Sequence, residues 1–381
     1  MPNTLNNLAA DIYTAADVIG RELVGVVSSA TINTAAGQAV AKGDTVRSHF
    51  TRTPTVNSSY APSMTVPEGT NQTVDNKTLA VNQFASVQIP WEGEEIKHVG
   101  NGSGFETIYG DQIAQAMRSI ANTIESYVAG IVKAGSSRAF GTAGTTPFGS
   151  NFNEVAELHQ ILVDNGCPMD GQVSMVINTL AGTKLRNLAQ LQKVSEAGGD
   201  QLLRQGELLN LQGISLKESA GIGIHTKGTG TGYLVNSAAI TAGTTTIPTD
   251  TGTGTLIAGD VVTFAADTVN KYVVGTTLSG GNFALGAPGT RVAIADNNAI
   301  TIGNNYTANV AFHRSAVEVV VRAPALPANE AAQDVMTVTD PWSGLTFQIA
   351  SYGGYMKSMI EVRCLYDAVV WKPNHVATLL G

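Results

Sequence analysis

The sequence predicts an α+β fold that is interrupted by an all-β module. In residues 227–311, 17 of 85 residues are Thr, 13 are Gly and only seven are charged, and no apolar spacing typical of a helix occurs. Long amphipathic helices are predicted before this island, and alternating strands such as residues 316–321 after it. A β module inserted into another fold accounts for all three observations.

Composition excludes some classes of function. Charged residues make up 14% of the 381-residue chain and the net charge is −8, so no basic field is available to capture nucleic acid from solution. A soluble monomer usually keeps about 25% charged residues for solvation. The low charge density therefore predicts that other chains cover much of the surface.

No cofactor, metal or membrane is predicted. Cys167 and Cys364 are far apart and lack metal-like spacing, which favours two free thiols in a reducing cytoplasm. The amino end lacks the basic region and the continuous apolar region of a signal peptide. No apolar run approaches the roughly 20 residues that span a bilayer.

A helical arm followed by an extended loop is predicted at the amino end. Apolar residues at three- and four-residue steps place one stripe on a helix over about residues 4–28: Leu5, Leu8, Ile12, Ala16, Ile19, Leu23 and Val26. Short alternating runs broken by turn residues then predict an extended hairpin with little core of its own. Such a segment is stable mainly when it lies across a neighbour.

The longest helix signal follows. One face carries Ile113, Met117, Ile120, Ile124, Tyr127 and Ile131. A helix over about residues 106–134 would be on the order of 40 Å long, the width of a small domain. Further helices are predicted at 153–165, from an Asn178 cap to Leu188, and at 202–211, with a buried strand at 173–177.

The island itself is predicted to be a set of short strands. They fall at about 233–240, 244–248, 255–257, 261–265, 271–277, 282–284, 290–294 and 299–302. Closing them into a small barrel would remove exposed strand edges. After the island, strands are predicted at 316–322, 335–339, 345–350 and 359–371.

Two phrases near the end of the island and beyond it carry a family resemblance. The first is Asn309-Val310-Ala311-Phe312-His313-Arg314-Ser315-Ala316, which continues to Arg322-Ala323-Pro324-Ala325-Leu326-Pro327; the second is Asp340-Pro341-Trp342-Ser343-Gly344-Leu345-Thr346-Phe347-Gln348-Ile349. Together with the order of parts, they resemble the coat proteins of tailed bacteriophages related to P22. That family has the HK97-type shell fold with an inserted β-barrel.

The resemblance implies a division of the chain. Residues 1–50 would be the amino-terminal arm, 51–92 the E-loop, 93–150 and 335–381 the P-domain with its spine helix, 151–226 and 312–334 the A-domain, and 227–311 the inserted barrel. The chain departs from the family in lacking matched positions for the charged loop that bridges neighbouring capsomers.

The function implied is that of a major capsid protein, which is not an enzyme. Its partners would be further copies of itself in hexamers and pentamers, a scaffolding protein and a portal, and the shell would enclose double-stranded DNA without binding it specifically. The location would be the virion, after assembly in the host cytoplasm. Subunit contacts are predicted in the loop and at its base: Arg47, Arg52, Glu68, Lys77, Trp91 and Glu92.

Two other functions share some of these sequence features. A surface-array or adhesive β protein would share the Thr- and Gly-rich strands and low charge, but it needs an export signal and has no use for so long a helix. Asp250-Thr251-Gly252 matches the catalytic triplet of aspartic proteases, in which two carboxylates share a proton, yet the sequence holds one copy only.

An acidic cluster lies between the extended loop and the long helix. Glu92, Glu94, Glu95 and His98 follow Trp91 closely. The neighbouring prolines and glycines predict that this segment is not helical, and a solvated acidic patch is predicted there rather than a metal site.

Overall fold

The computed structural model describes most of the chain. The described residues are 25–33, 39–51, 56, 62–66, 68, 74–100, 105–189, 210–237, 239–326, 331–339 and 344–381. The predicted arm helix therefore lies almost wholly outside them, as do Arg52 and most of the predicted helix at 202–211. No helix among the described residues is both long and apolar enough to cross a membrane.

Four α-helices lie in the described residues, and one of them is much longer than the others. They are α1 (Gly93–Gly100), α2 (Phe105–Ala134), α3 (Asn153–Asp164) and α4 (Thr179–Arg186). In α2 the residues Ile113, Met117, Ile120 and Ile124 are at most 2% exposed, which is why this stretch forms a helix against a core. Asn178 caps α4 by accepting a hydrogen bond from the backbone N–H of Leu180 at 2.8 Å.

Strands make up the rest of the architecture. Before the island they are β1 (Thr31–Asn33), β2 (Thr45–Thr51), β3 (Val74–Ala80), β4 (Gln83–Glu92), β5 (Arg138–Gly141), β6 (Val173–Ile177), β7 (Asn210–Leu211), β8 (Ile214–Glu218) and β9 (Ile224–His225). Within the island they are β10 (Leu234–Val235), β11 (Ala239–Ile240), β12 (Thr246–Asp250), β13 (Val261–Phe264), β14 (Asp267–Ser279), β15 (Asn282–Leu285), β16 (Ile294–Ala295) and β17 (Ile300–Ile302). After it come β18 (Tyr306–His313), β19 (Val317–Arg322), β20 (Ala332–Thr339), β21 (Thr346–Gly353), β22 (Lys357–Val370) and β23 (Val376–Leu380).

The long helix α2 lies across a six-stranded sheet. The strand order is β1-β19-β22-β21-β20, and β4 also pairs with β22. Alternate residues of β19 and β22, such as Val319, Val321 and Val362, point to the helix and join Ile120 and Ile124 in the largest apolar core. This core fixes the helix and the sheet relative to each other.

A second sheet connects the body to the island. Strands β23, β18, β6 and β8 form its middle and pack on α3 and α4, with Val155, Leu158 and Leu185 buried between them. Strand β5 pairs with β23 on one side and with β14 of the island on the other, through Ala139↔Lys271 and Arg138↔Tyr272. The island is therefore hydrogen-bonded into the body's sheet.

The island strands also pair among themselves in a ring. The ladders run β10-β12, β12-β15, β15-β14, β14-β13 and β13-β17, and the bridge Leu234↔Ala299 connects the last strand region back to β10. Island residues alone form the apolar cluster inside it, including Phe264, Tyr272 and Phe283. The island thus has a core of its own.

Several local predictions were wrong. Residues 93–100 form α1, because the glycines at 93 and 100 lie at its two ends and Pro90 lies before it. The predicted end of the arm helix is a 3₁₀ turn, Val27–Ser29. Residues 255–257 form no strand, and the end of the helix predicted at 202–211 is β7, paired with β8.

Candidate subunit interface

The predicted loop begins as a hairpin that stands on the body. Strands β2 and β3 pair from Thr45↔Ala80 to Thr51↔Val74. At the base, Val46 and Leu79 pack against the buried Val320 and Leu365 on the face of the sheet opposite to α2. The hairpin base is therefore held by apolar contacts.

A carboxylate on the sheet links this base to the long helix. Asp367 on β22 accepts a hydrogen bond from the hydroxyl of Tyr127 at 2.9 Å and one from the backbone N–H of Asn82 at 3.1 Å. Burial and the bond to Asp367 raise the pKa of Tyr127 to about 12, so the phenol keeps its proton at neutral pH. The loop base, the sheet and α2 thus meet at one polar contact.

The distal part of the loop exposes apolar side chains. Val56, Met64 and Val66 are 85%, 104% and 87% exposed. Sequence reasoning missed them, although Met64 and Val66 lie in a short run between prolines at 62 and 67, where apolar residues have no local core to join. Large apolar side chains that remain exposed in this way are available for a partner to cover.

Three of the six predicted contact residues are on the surface. Arg47 on β2 and Glu68 are exposed. The carboxylate of Glu92 is 60% exposed and lies 3.4 Å from the ammonium group of Lys357. Arg52 lies outside the described residues, and the role of all these residues in subunit contact stays a prediction.

The other two turn towards the subunit itself. Lys77 donates a hydrogen bond to the backbone carbonyl of Trp371 at 2.9 Å and lies 5.3 Å from the centre of its ring. Burial, with a smaller effect of Lys372, lowers the pKa of Lys77. Trp91 is 8% exposed, and its indole N–H donates to the side-chain oxygen of Gln112 at 3.0 Å.

The acidic cluster beside Trp91 starts a helix. The carboxylate of Glu95 accepts a hydrogen bond from the backbone N–H of Glu92 at 3.1 Å, and Gly93 donates to the backbone carbonyl of Met356 at 3.1 Å. Acidic side chains in the first turn stabilise a helix through its dipole. The cluster therefore has a structural explanation as a helix start.

The turn that receives Gly93 is a second exposed apolar feature. Tyr355 and Met356 are 94% and 67% exposed at the turn between β21 and β22. Met356 has a φ of +55°, a conformation that is unfavourable for a side chain of this kind. Met356 therefore adopts this conformation at an energetic cost, which a substitution by glycine would relieve.

A buried chain of polar groups joins α2 to the island. The ammonium group of Lys133 lies 3.0 Å from Nδ1 of His225, and Nε2 of His225 lies 2.9 Å from Oδ1 of Asp260. An ammonium group can only donate, so Nδ1 accepts and Nε2–H donates to the carboxylate. The last turn of the long helix is thereby connected to the entry of β13.

Asp260 is the centre of this junction. It is 1% exposed and also accepts hydrogen bonds from the backbone N–H groups of Ile257 at 2.8 Å and Gly228 at 3.1 Å. Burial lowers the pKa of Lys133 against the opposing attraction of Asp260. Together with the β5-β14 pairing, these bonds set the position of the island relative to α2.

The protease triplet lies at a tight surface turn. Asp250 is exposed, and Oδ1 of its carboxylate accepts from the Thr251 hydroxyl at 2.7 Å. A Cβ at position 252 would come within 2.1 Å of the Tyr233 ring, which explains the glycine there without catalysis. In the part of the chain that the structure describes, no group of three or more His, Cys, Asp or Glu residues could hold a metal ion.

Comparison with known proteins adds a likeness of fold. No protein-family model matches the chain, and no curated protein does so either. The capsid structure of cyanophage P-SCSP1u matches with a TM-score of 0.52 at 12% identity, over 94% of this chain and 88% of that one. The mature capsid of bacteriophage PhiM1 has a TM-score of 0.48 at 13% identity, over 94% and 87% of the two chains.

The first of these likenesses establishes the fold. The chain has a mixed α+β fold, largely of sheet, that is similar to the fold of the P-SCSP1u capsid structure along nearly its whole length. An identity of 12% shows the fold alone.

Proposed function

We propose that the chain is the major capsid protein of a tailed double-stranded DNA bacteriophage, with an HK97-type fold. The observation that carries the proposal is the likeness of fold to a phage capsid structure over 94% of this chain. The sequence resemblance to P22-related coat proteins, which was found in different features, points to the same class.

The division of the chain belongs to the same proposal. Residues 1–50 form the arm, 51–92 the E-loop, 93–150 and 335–381 the P-domain, 151–226 and 312–334 the A-domain, and 227–311 an inserted barrel of the P22 type. The ring of strand pairings and the separate apolar core of the island support the last assignment. Pairing of the island with β5 supports a bracing role for it.

The shell would form through contacts between unlike surfaces of identical copies. Such heterologous contacts form closed rings when the successive rotations between copies add up to a full turn. The exposed Val56, Met64 and Val66 offer apolar area that one copy alone does not bury. A chain with 14% charged residues loses little solvation when neighbours cover it.

Partners and location follow from this class. Subunits would assemble in the host cytoplasm with a scaffolding protein and a portal, and the mature virion would enclose DNA without specific binding. The net charge of −8 supports enclosure rather than capture of DNA.

Electron microscopy of the expressed protein tests the proposal. We expect closed shells when the chain is expressed with the genes that neighbour it, and their absence under every such condition would refute the function. Val66→Asp should lower shell yield without unfolding the subunit, because it places a charge on surface that must become dry. Val66→Ile keeps that surface apolar and is the matched control, with near-normal yield.

A further inference from the structure

A buried carboxylate in the middle of the long helix holds the beginning of the described chain. Glu125 is 2% exposed. It accepts hydrogen bonds from three successive backbone N–H groups, those of Gly25 at 3.1 Å, Val26 at 2.6 Å and Val27 at 2.9 Å. The hydroxyl of Ser219 donates a fourth at 2.8 Å. We name this arrangement the Glu125 clasp.

The clasp is built for an anion. Successive backbone N–H groups that point to one place form a concave site for a negative charge. A buried carboxylate is tolerated when several donors satisfy it, and four donors do so here.

Close packing shows that the geometry is specific. A Cβ at Gly25 would come within 2.7 Å of both the Ser219 Cβ and a methyl group of Val176, and a Cβ at Gly221 would come within 2.8 Å of the Glu125 Cγ. The two glycines therefore let the chain approach the carboxylate from both sides.

The segment that follows the clasp is docked as well. Ser29 donates a hydrogen bond to the backbone carbonyl of Gly25 at 2.7 Å, and β1 then pairs in parallel with β19. The chain before Gly25, which carries the apolar stripe of the predicted arm, therefore starts from one fixed point on α2. The loop base is linked to the same helix through Tyr127, two residues further along.

We propose that Glu125 is a positioning residue that sets where, and in which direction, the amino-terminal arm leaves the subunit body. This inference rests on the proposed capsid function, in which the arm reaches a second copy. Loss of the clasp leaves a folded subunit whose arm starts from a variable point. The arm then reaches neighbouring copies at varying positions, and closed shells form poorly.

Hydrogen exchange on the dissociated, full-length subunit tests the clasp directly. In Glu125→Gln we expect exchange of the amides in residues 25–33 to rise about tenfold or more, because hydrogen bonds to a charged acceptor are lost. Exchange in β23 should be unchanged. Asp111→Asn, an exposed acidic residue on the same helix, is the control and should leave both regions unchanged. Ser219→Ala removes one donor of four and should give a smaller rise, and it serves as the test if Glu125→Gln does not fold.

Electron microscopy of the same variants tests the consequence. We expect fewer closed shells and more open or irregular particles for Glu125→Gln than for Asp111→Asn. Unchanged exchange in residues 25–33 would overturn the clasp, and raised exchange with normal shells would overturn its role in positioning the arm. If the unmodified protein forms no shells while Glu125→Gln raises exchange, the capsid function fails and the clasp stands.

Discussion

Replacing Asp260 by Asn tests the junction between the long helix and the island. The carboxylate is 1% exposed and accepts from Nε2–H of His225 and from the backbone N–H groups of Gly228 and Ile257. An amide has one acceptor oxygen only. Whichever way it is placed, its NH₂ group must face a donor, either the His225 ring or the Ile257 backbone.

The structure gives the size of the effect. A hydrogen bond to a charged group contributes about 1.5–3 kcal/mol, and a buried donor left without an acceptor costs about 1–3 kcal/mol. One lost bond with one opposed donor therefore predicts a decrease of roughly 3 kcal/mol in the free energy of unfolding. Urea unfolding of the dissociated subunit measures it.

Asp250→Asn is the matched control for this measurement. Asp250 lies in the same island, but its side chain is exposed and accepts a hydrogen bond from the hydroxyl of the adjacent Thr251. Its substitution should change the free energy of unfolding by less than about 0.5 kcal/mol. Equal stability of the two variants would refute the reasoning about the junction. Normal shells from Asp250→Asn would also remove the protease alternative.

Four further predictions depend on the burial or exposure of single side chains. Trp91→Ala should destabilise the subunit by about 3 kcal/mol in urea unfolding, since it empties a buried site. Arg47→Glu on the exposed hairpin should change shell yield and leave the free energy of unfolding within about 0.5 kcal/mol of the unmodified protein. A destabilised Arg47→Glu with a stable Trp91→Ala would contradict the placement of both residues. Burial raises the pKa of Cys364 to about 12, so iodoacetamide should leave this thiol unmodified at pH 8 until urea unfolds the chain. Burial, with Lys372 and His313, lowers the pKa of His375. Below about pH 6.5 the unfolded chain then binds more protons at His375 than the folded chain does. The contribution of His375 to stability is therefore complete above that pH and decreases as the pH falls. His375→Gln should lose less stability than the unmodified protein between pH 7 and pH 5.

Local patterns predicted the elements that carry their own apolar signal. The helix at 106–134 is observed as Phe105–Ala134, and the strand at 173–177 has the predicted bounds. In the helix, apolar residues repeat with the helical period, whereas the strand is a short, nearly continuous apolar run that is buried at every position. The prediction at 93–100 was wrong because glycine at a helix end and glycine inside a helix have opposite meanings, and composition alone does not distinguish them.

The exposure of single side chains was harder to predict than the helices and strands. Their place in the loop and at its base suggested Lys77 and Trp91 as subunit contacts; both bond within the subunit, to Trp371 and Gln112, and their role in contact between copies stays a prediction. The apolar Val66 and Met356 were missed because exposure is a property of the folded surface. A sequence pattern shows which residues could be buried, but not which remain uncovered after packing.

By itself, the sequence determined the long helix, the buried strand at 173–177, the β-rich island and the strands that follow it. It did so because composition and periodicity are local properties of the chain. Only the tertiary structure decided how these parts are joined. Glu125 meets residues 25–27 from 98 or more positions away, and Lys133 meets His225 from 92 positions away. A buried polar group gains its stability from the donors that packing brings to it, and no local pattern records which distant donors those are.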